Sequence, residues 1–290
     1  MRSSRVATST AVAHQPVDDR LSKRNFDRLG AYIYKYSGIK MPITKVTMLE
    51  GRLRKRLRAT GIETFNDYCD YLFEHNGLES ESIYLIDAVT TNKTDFFREP
   101  KHFEYLVEKA VPDLLAHGHR QLKVWSSACS TGAEPFTLAM VLRECLENKA
   151  DHSFKVIATD LSTEVLQTAR RAIYTRDMIE PVPPALRRKY VMEAVDPRRN
   201  EVRMSPLLRK HVGFGRLNLM DDTYPVDELQ HVVFCRNVLI YFDKQTQLHV
   251  LSRLCDCLVP GGYLFIGHSE TASGLSLPIK QVANTVFKRV

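Results

Sequence analysis

Val124-Trp125-Ser126-Ser127-Ala128-Cys129-Ser130-Thr131-Gly132-Ala133-Glu134-Pro135 is the stretch on which the architecture turns. The short apolar run Lys123–Ala128 reads as a strand, the small residues after it as a tight loop, and Pro135 as part of the first turn of a helix. Proline is tolerated there because the first helical N–H groups have no partner to lose. The loop is not G-x-G-x-x-G and it lacks the G-x-x-x-x-G-K of a phosphate-binding loop, so neither nucleotide fingerprint applies. Its single glycine, Gly132, lets the backbone approach a ligand. A carboxylate at Glu134 suits a cationic ligand group such as an amine; the competing reading is an ordinary turn.

Outward from this unit the same alternation repeats. Phe154–Thr159, His231–Cys235 and Tyr263–Ile266 are further short apolar runs, with Val212–Leu217 weaker and Val282–Val290 as a late strand. Between them lie helical stretches at Pro135–Leu146, Thr163–Ala172 and Lys244–Leu258. Strands alternating with helices predict an α/β fold with a doubly wound, mainly parallel sheet, whose ligands sit at the carboxyl ends of the strands. Asp160 ends the second strand, where an acid accepts hydrogen bonds from ribose hydroxyls in nucleoside-binding folds; Asp160 or Ser162 could equally cap the next helix. Arg236 and Asn237 leave a central strand into the same crevice, and Pro260-Gly261-Gly262 reads as the turn into the next strand. Tyr190–Val195 and Glu201–Met204 break the alternation and suggest an inserted hairpin.

Upstream, residues 22–91 carry only helical patterns. Phe26, Leu29, Ile33 and Tyr36 recur at helical spacing before Gly38; a second helix from near Thr44 shows Val46, Leu49, Leu53 and Leu57 before Gly61. Thr64 is placed to cap a third helix through Glu74, and Ser80 or Ser82 to start a fourth. The expected organisation is a disordered tail over 1–20, a helical domain over 21–91, a linker and helix over 92–121, and the sheet domain over 122–290 with a β-insertion at about 190–212.

Composition narrows the class. A 44% hydrophobic and 26% charged chain of 290 residues can bury a core, which excludes bulk disorder, and no apolar run approaches the roughly 20 residues a membrane helix needs. The net charge of +7 is uneven: the windows 45–58 and 187–210 each carry +5, leaving −3 elsewhere. Nucleic acid, an anionic membrane or an acidic protein surface would each suit such patches. The six cysteines, at 69, 129, 145, 235, 255 and 257, show no zinc spacing, and Met1–Arg20 has no hydrophobic signal core. Structural thiols, no metal and a reducing cytoplasmic setting are expected.

Five motifs occur in order: Thr91-Asn92-Lys93-Thr94-Asp95-Phe96-Phe97-Arg98, Ser130-Thr131-Gly132-Ala133-Glu134-Pro135, Thr159-Asp160, Phe234-Cys235-Arg236-Asn237-Val238-Leu239-Ile240-Tyr241-Phe242 and Gly267-His268-Ser269-Glu270. Together they resemble the CheR-type chemoreceptor glutamate O-methyltransferases over residues 22–290. The resemblance implies a Rossmann-like S-adenosylmethionine-dependent methyltransferase sheet with an N-terminal all-helical domain and a small inserted β-subdomain. It implies transfer of a methyl group from S-adenosylmethionine to receptor glutamates in chemotaxis adaptation, with S-adenosylhomocysteine as product.

By resemblance, Asn92, Thr94 and Arg98 would close over the cofactor, Glu134 would hold its amino group and Asp160 its ribose. Asn218 and Leu219 would flank the adenine, Arg236, Asn237 and Val238 would line the methionine end, and Arg98 and Tyr241 would act at the transferring methyl. Cys129, Ala133 and Phe136 depart from the residues usual in this loop without removing a proposed ligand. A glutamate carboxylate is ionised at pH 7 and is its own nucleophile, so neither a catalytic triad nor a metal is needed. His268 and Glu270 are either functional or part of the loop after the fifth strand.

The expected partner is the acidic cytoplasmic helices of methyl-accepting chemoreceptors, met by Lys45, Arg52, Lys55, Arg56 and Arg58. The expected protein is a monomer that neither binds nucleic acid nor inserts into a membrane, recruited from the cytoplasm to membrane-bound receptor arrays. The insertion's turn, Asp196-Pro197-Arg198-Arg199-Asn200, lacks the glycines by which some members of that family bind a receptor's C-terminal peptide as an added strand, so recognition without such a tether is expected. Two alternatives stay open: a nucleic-acid methyltransferase, against which the Arg-Asn-Val-Leu motif stands where Asp/Asn-Pro-Pro-Tyr is usual, and a non-catalytic adaptor on the same fold.

Overall fold

A computed structural model describes residues 19–290. Its first helix, α1 (Lys23–Ser37), starts where the Ser22 hydroxyl accepts the Asn25 N–H and stops where Gly38 takes a left-handed φ of 72°. Next come α2 (Val46–Thr60), α3 (Phe65–Glu74), capped by Thr64, and α4 (Leu78–Val89), which starts two residues before the expected Ser80. Phe26, Leu29, Ile33, Leu49, Leu53, Phe65, Tyr68 and Leu85 fill the space between them. Of the expected tail, residues 1–18 lie outside the described residues, but its end is corrected. Asp19 is buried and accepts the Phe65 N–H at the start of α3, 2.9 Å away.

From Pro100 to Ala116 the chain is one helix in three pieces: α5 (Pro100–Tyr105), a π-helical turn (Leu106–Ala110) and α6 (Val111–Ala116). Pro112 has no N–H to return to the preceding turn, and the wider winding just before it absorbs that loss. The sheet domain then begins with β1 (Gln121–Ser126), α7 (Ala133–Leu146), β2 (Ser153–Asp160) and α8 (Thr163–Arg171).

The insertion is larger than the sequence suggests. It contains β3 (Ile173–Thr175), α9 (Pro184–Tyr190), β4 (Val191–Glu193), β5 (Glu201–Met204) and α10 (Pro206–Arg209), with β5 pairing antiparallel to both β3 and β4. A hairpin alone would leave one edge of β5 unpaired; the three residues of β3 are too short to show a strand periodicity. The expected bounds of 190–212 are corrected at both ends, because Val212 opens β6 (Val212–Arg216) in the main sheet.

Last come β7 (Gln230–Cys235), α11 (Lys244–Asp256), β8 (Leu258–Ile266), β9 (Ile279–Ala283) and β10 (Val286–Arg289). The main sheet runs β6-β2-β1-β7-β8-β10-β9, parallel through β8 and antiparallel at β10 and β9. The strand order reverses between β1 and β7, which places the ligand crevice at their carboxyl ends. Two expectations change. The late strand is a hairpin turning at Asn284-Thr285, and Pro260-Gly261-Gly262 lies inside β8 as an irregularity where the pairing with β7 shifts register. A Cβ on Gly262 would stand 3.1 Å from the His231 carbonyl, so a glycine permits that close approach.

Buried His231, on β7, accepts the Lys123 N–H of β1 through Nδ1 at 2.9 Å and meets His119 at 3.0 Å. Burial, then the charges of His119 and Lys123, pushes its pKa down to about 4. Below pH 6.5 the unfolded chain therefore takes up a proton that the folded chain refuses until about pH 4, and stability falls as pH drops across that window. Between pH 7.5 and 5.0 this one group is worth about 2 kcal/mol. Urea unfolding at the two pH values should show His231→Asn, which keeps an acceptor near Nδ1, losing less than the parent by about that amount; parallel losses would refute it.

Candidate active site

The carboxyl ends of β1, β2 and β7 open into a cleft of about 1130 Å³, counting the solvent at its mouth. All eleven residues expected to hold a cofactor or act on it line this single cleft: Asn92, Thr94 and Arg98 from the segment before α5, Glu134 from α7, Asp160 from the end of β2, Asn218 and Leu219 after β6, and Arg236, Asn237, Val238 and Tyr241 after β7. They come from five separate stretches of chain, gathered by the strand order.

At the centre stands the Arg236 guanidinium, its side chain 2% exposed. It reaches Glu99 Oε2 at 3.0 Å and Glu134 Oε2 at 3.1 Å, and donates to the Arg98 carbonyl. The Ser126 hydroxyl donates to the other Glu134 oxygen at 2.7 Å. Burial pushes the Glu134 carboxyl up from its ordinary pKa despite the guanidinium, so the site holds this charge at a cost. At Glu99 burial acts in the same sense, but Arg236 and the Asn237 amide outweigh it and hold the carboxyl below the usual carboxylate range. Asp160 accepts the Ser130 N–H at 2.8 Å and the Ser162 N–H at 2.9 Å, which closes the small-residue loop onto the end of β2. Burial raises its pKa against these donors. Ser162, whose hydroxyl accepts the Val165 N–H, caps α8, while Asp160 organises the loop and lines the cleft.

Glu270 belongs to the loop structure. Buried, it accepts the N–H groups of Asn237, Leu239, Ile240 and Gly267, and fixes the turn after β7 in which Asn237 takes a φ of 57°. His268 is exposed at the rim, and its backbone N–H donates to Glu99 at 3.3 Å. The sequence reading missed Glu99, whose carboxylate joins Arg236, Asn237 and His268; its position beside Arg98 was the only signal.

The helical domain supplies a wall that the sequence reading did not anticipate: Ser37, Ile39, Met41, Lys45 and Met48 also line the cleft. Asn218 donates to the Tyr36 carbonyl at 2.6 Å, Arg216 to the Tyr36 hydroxyl at 2.7 Å, and the Lys40 N–H to the Tyr241 carbonyl at 3.1 Å. The close approach at Gly38, where a Cβ would meet Met220 Sδ at 2.7 Å, is what the helix-stop glycine makes possible.

The expected basic docking face needs correction. Arg56 lies against buried Glu81 at 2.7 Å, and Arg52 donates to the Val89 and Thr90 carbonyls and to the Thr91 hydroxyl. Both tie α2 to α4 and face inward, because α2 packs its apolar stripe beside them. Lys45 turns into the cleft, 5.9 Å from the Tyr241 ring centroid. Lys55 reaches Glu164 at 2.9 Å, and Arg58 stays exposed with Arg54 and Gly51 on one solvent-facing stripe.

These residues fit the cofactor implied by the resemblance. Glu134 can accept from an amino group and Asp160 from ribose hydroxyls; Met41, Met48, Leu217, Leu219 and Phe242 give a planar ring apolar walls. The Arg236 Nε–H is buried without a partner, a donor suited to a carboxylate.

Residues 92–287 match the family described as CheR methyltransferase, SAM binding domain, and residues 24–90 that described as CheR methyltransferase, all-alpha domain. A chemotaxis protein methyltransferase of Salmonella typhimurium is 39% identical over 267 residues, covering 92% of this chain and 90% of its own length. That of Escherichia coli K12 is 38% identical over 267 residues, with 92% and 91% covered. One from Borreliella burgdorferi is 38% identical over 259 residues, with 88% and 90% covered.

Replacing Glu270 by Ala strands several buried donors, each costing about 1–3 kcal/mol. Chemical denaturation should show Glu270→Ala at least about 2 kcal/mol less stable than the parent. A loss below about 0.5 kcal/mol, the usual scatter of surface substitutions, would remove Glu270 from this role.

Proposed function

This chain belongs to the CheR methyltransferase family and is an S-adenosylmethionine-dependent methyltransferase, and we propose that its methyl acceptor is the side-chain carboxylate of glutamates in chemoreceptor cytoplasmic helices. The observation that carries this reading is the set of cations in the cleft's lining. Lys45, Lys93, Arg98 and Arg236 line it together with Tyr241, beside the acids Asp95, Glu134 and Asp160. Cations in the lining attract an anionic acceptor. The relatives' description as chemotaxis protein methyltransferases accords with it.

When bound, S-adenosylmethionine supplies a methyl group on a positively charged sulfur. The protein's part is placement. Glu134, Asp160, Asn218 and Leu219 would hold the cofactor, with Arg236, Asn237 and Val238 at its methionine end and Asn92 and Thr94 above it. Arg98 would attract the acceptor carboxylate and Tyr241 would orient it through its hydroxyl. The wall from the helical domain excludes water, so the carboxylate sheds its hydration on entry. An ionised carboxylate needs no base, and alignment alone can lower a barrier by roughly 7–11 kcal/mol.

For docking we propose the exposed stripe of α2 with Lys55, Arg58 and the neighbouring Arg54, leaving Arg52 and Arg56 to their internal roles. Gly51 keeps the N-terminal end of this stripe flat, with nothing within 4 Å of where its Cβ would be. A glycine in a helix interior costs about 1 kcal/mol against alanine, and nothing inside the fold requires it here. In the insertion, Arg198 closes the turn onto Asp196 through both its backbone and its guanidinium, which favours recognition without a peptide tether.

Labelled S-adenosylmethionine incubated with a receptor cytoplasmic fragment should give label that alkali releases, since methyl esters hydrolyse and N-methyl groups do not. In the same assay Arg54→Glu/Arg58→Glu should methylate the fragment about tenfold or more slowly, with S-adenosylhomocysteine affinity by calorimetry unchanged. Alkali-stable label would overturn the acceptor, and an undiminished rate the docking face.

Tyr241→Phe tests the orienting hydroxyl. It should lower kcat about tenfold or more while cofactor affinity moves less than about threefold, the pattern of an interaction made in the transition state. Equal losses in both would make Tyr241 a binding residue.

A further inference from the structure

On the far side of Glu99 from the cleft, three side chains from distant parts of the chain converge: Glu99 ahead of α5, His102 in α5, and His268 after β8. One ligand atom from each lies within 4.8 Å of the other two. Glu99 Oε2 is 3.4 Å from His102 Nδ1 and 4.0 Å from His268 Nε2.

His102 Nε2 and the Thr285 hydroxyl are 2.8 Å apart and share a hydrogen bond. With the Thr285 hydrogen on the Asn284 carbonyl, also 2.8 Å away, Nε2 is the donor and Nδ1 presents a lone pair, the tautomer that a metal ion on Nδ1 would select. That Nδ1 is buried without a hydrogen-bond partner, in a residue only 2% exposed, and it points at a carboxylate oxygen. A buried imidazole nitrogen without a partner is a costly arrangement, and a cation shared with the neighbouring carboxylate would relieve it.

We propose that Glu99, His102 and His268 form a binding site for a first-row divalent cation of the zinc class, with the two histidines as nitrogen ligands, Glu99 as oxygen ligand and a fourth position open to solvent. The donor set is right for such an ion, which takes imidazole and carboxylate together, whereas Mg²⁺ and Ca²⁺ prefer oxygen alone. The spacing is right as well. Bonds of about 2.05 Å in a tetrahedral site set ligand atoms about 3.3 Å apart. Glu99 Oε2 and His102 Nδ1, 3.4 Å apart, already meet this, and the exposed His268, within 4.8 Å of both, closes the rest by a side-chain movement of up to about 1.5 Å. Thr285 supplies the outer hydrogen bond that orients a metal-bound imidazole. Arg236 opposes a cation here, but Glu99 and Glu134 flank it, so the local formal charge is −1. An open hollow lined by His102, His268, Tyr105 and Asn284 gives the entry path. The site is distinct from the cofactor cleft and shares one group with it: Glu99, which also pairs with Arg236.

The test uses the full chain, without an affinity tag and stripped by chelator, titrated with Zn²⁺ by calorimetry and with Co²⁺ by visible absorption. The expected result is one ion per chain, with a cobalt spectrum of nitrogen and oxygen ligation. His268→Ala, a change at an exposed side chain, should bind at least about 30-fold more weakly. Zn²⁺ should raise the thermal midpoint of the parent and not of that variant. Equal affinity in His268→Ala, no uptake of either ion, or an intense thiolate-to-cobalt band marking cysteines such as Cys145 or Cys257 would each overturn the proposal.

Discussion

The Arg236 guanidinium, buried between the carboxylates of Glu134 and Glu99, is the contact on which the site depends. It joins three parts of the chain: the loop and helix after β1, the segment entering α5, and the end of β7. Phe103 and Phe234 present their rings to it at 5.4 and 5.7 Å, so it is held on both its charged edge and its faces. Breaking one side of such a buried arrangement leaves an uncompensated charge, which costs far more than the intact pair contributes. The same group that fixes the fold of the crevice thus holds the Arg98 backbone and, through Glu99, the Asn237 amide, and both residues line the cleft.

A second constraint is the seam between the helical domain and the sheet. The cleft is not a property of the sheet alone, because Ile39, Met41, Lys45 and Met48 form part of its wall. Tyr36, Lys40 and Gly38 meet Arg216, Asn218, Met220 and Tyr241 along this seam, and Asp87 of α4 accepts the backbone and hydroxyl hydrogens of Thr163 at the start of α8. One chain segment thereby both closes the cofactor cleft and carries the exposed stripe of α2 proposed for docking. In the proposed function, acceptor docking and water exclusion would be mechanically joined, since both would depend on how α1 and α2 sit on the strand ends.

The sequence by itself determined the elements and the chemistry at their ends. Periodicity placed the four N-terminal helices and the main strands, because apolar spacing follows from geometry local to a few residues. The acid after β2 and the Arg-Asn pair after β7 were legible as site residues for the same reason: in a parallel sheet, the residue that leaves a strand's carboxyl end enters the crevice. What only the tertiary structure decided was partnership. Arg52 and Arg56 look like docking residues in sequence and are internal struts in the fold, because Glu81 and the end of α4 lie more than twenty residues away. Glu270 looks like a candidate for chemistry and holds a loop. Glu99 and His102 stand three residues apart, but His268 is far along the chain, and only the fold, at the end of β8, brings it within a few ångströms of them. Hydrogen bonds and ion pairs act over about 3 Å, and no pattern along a chain records which distant groups will close that distance.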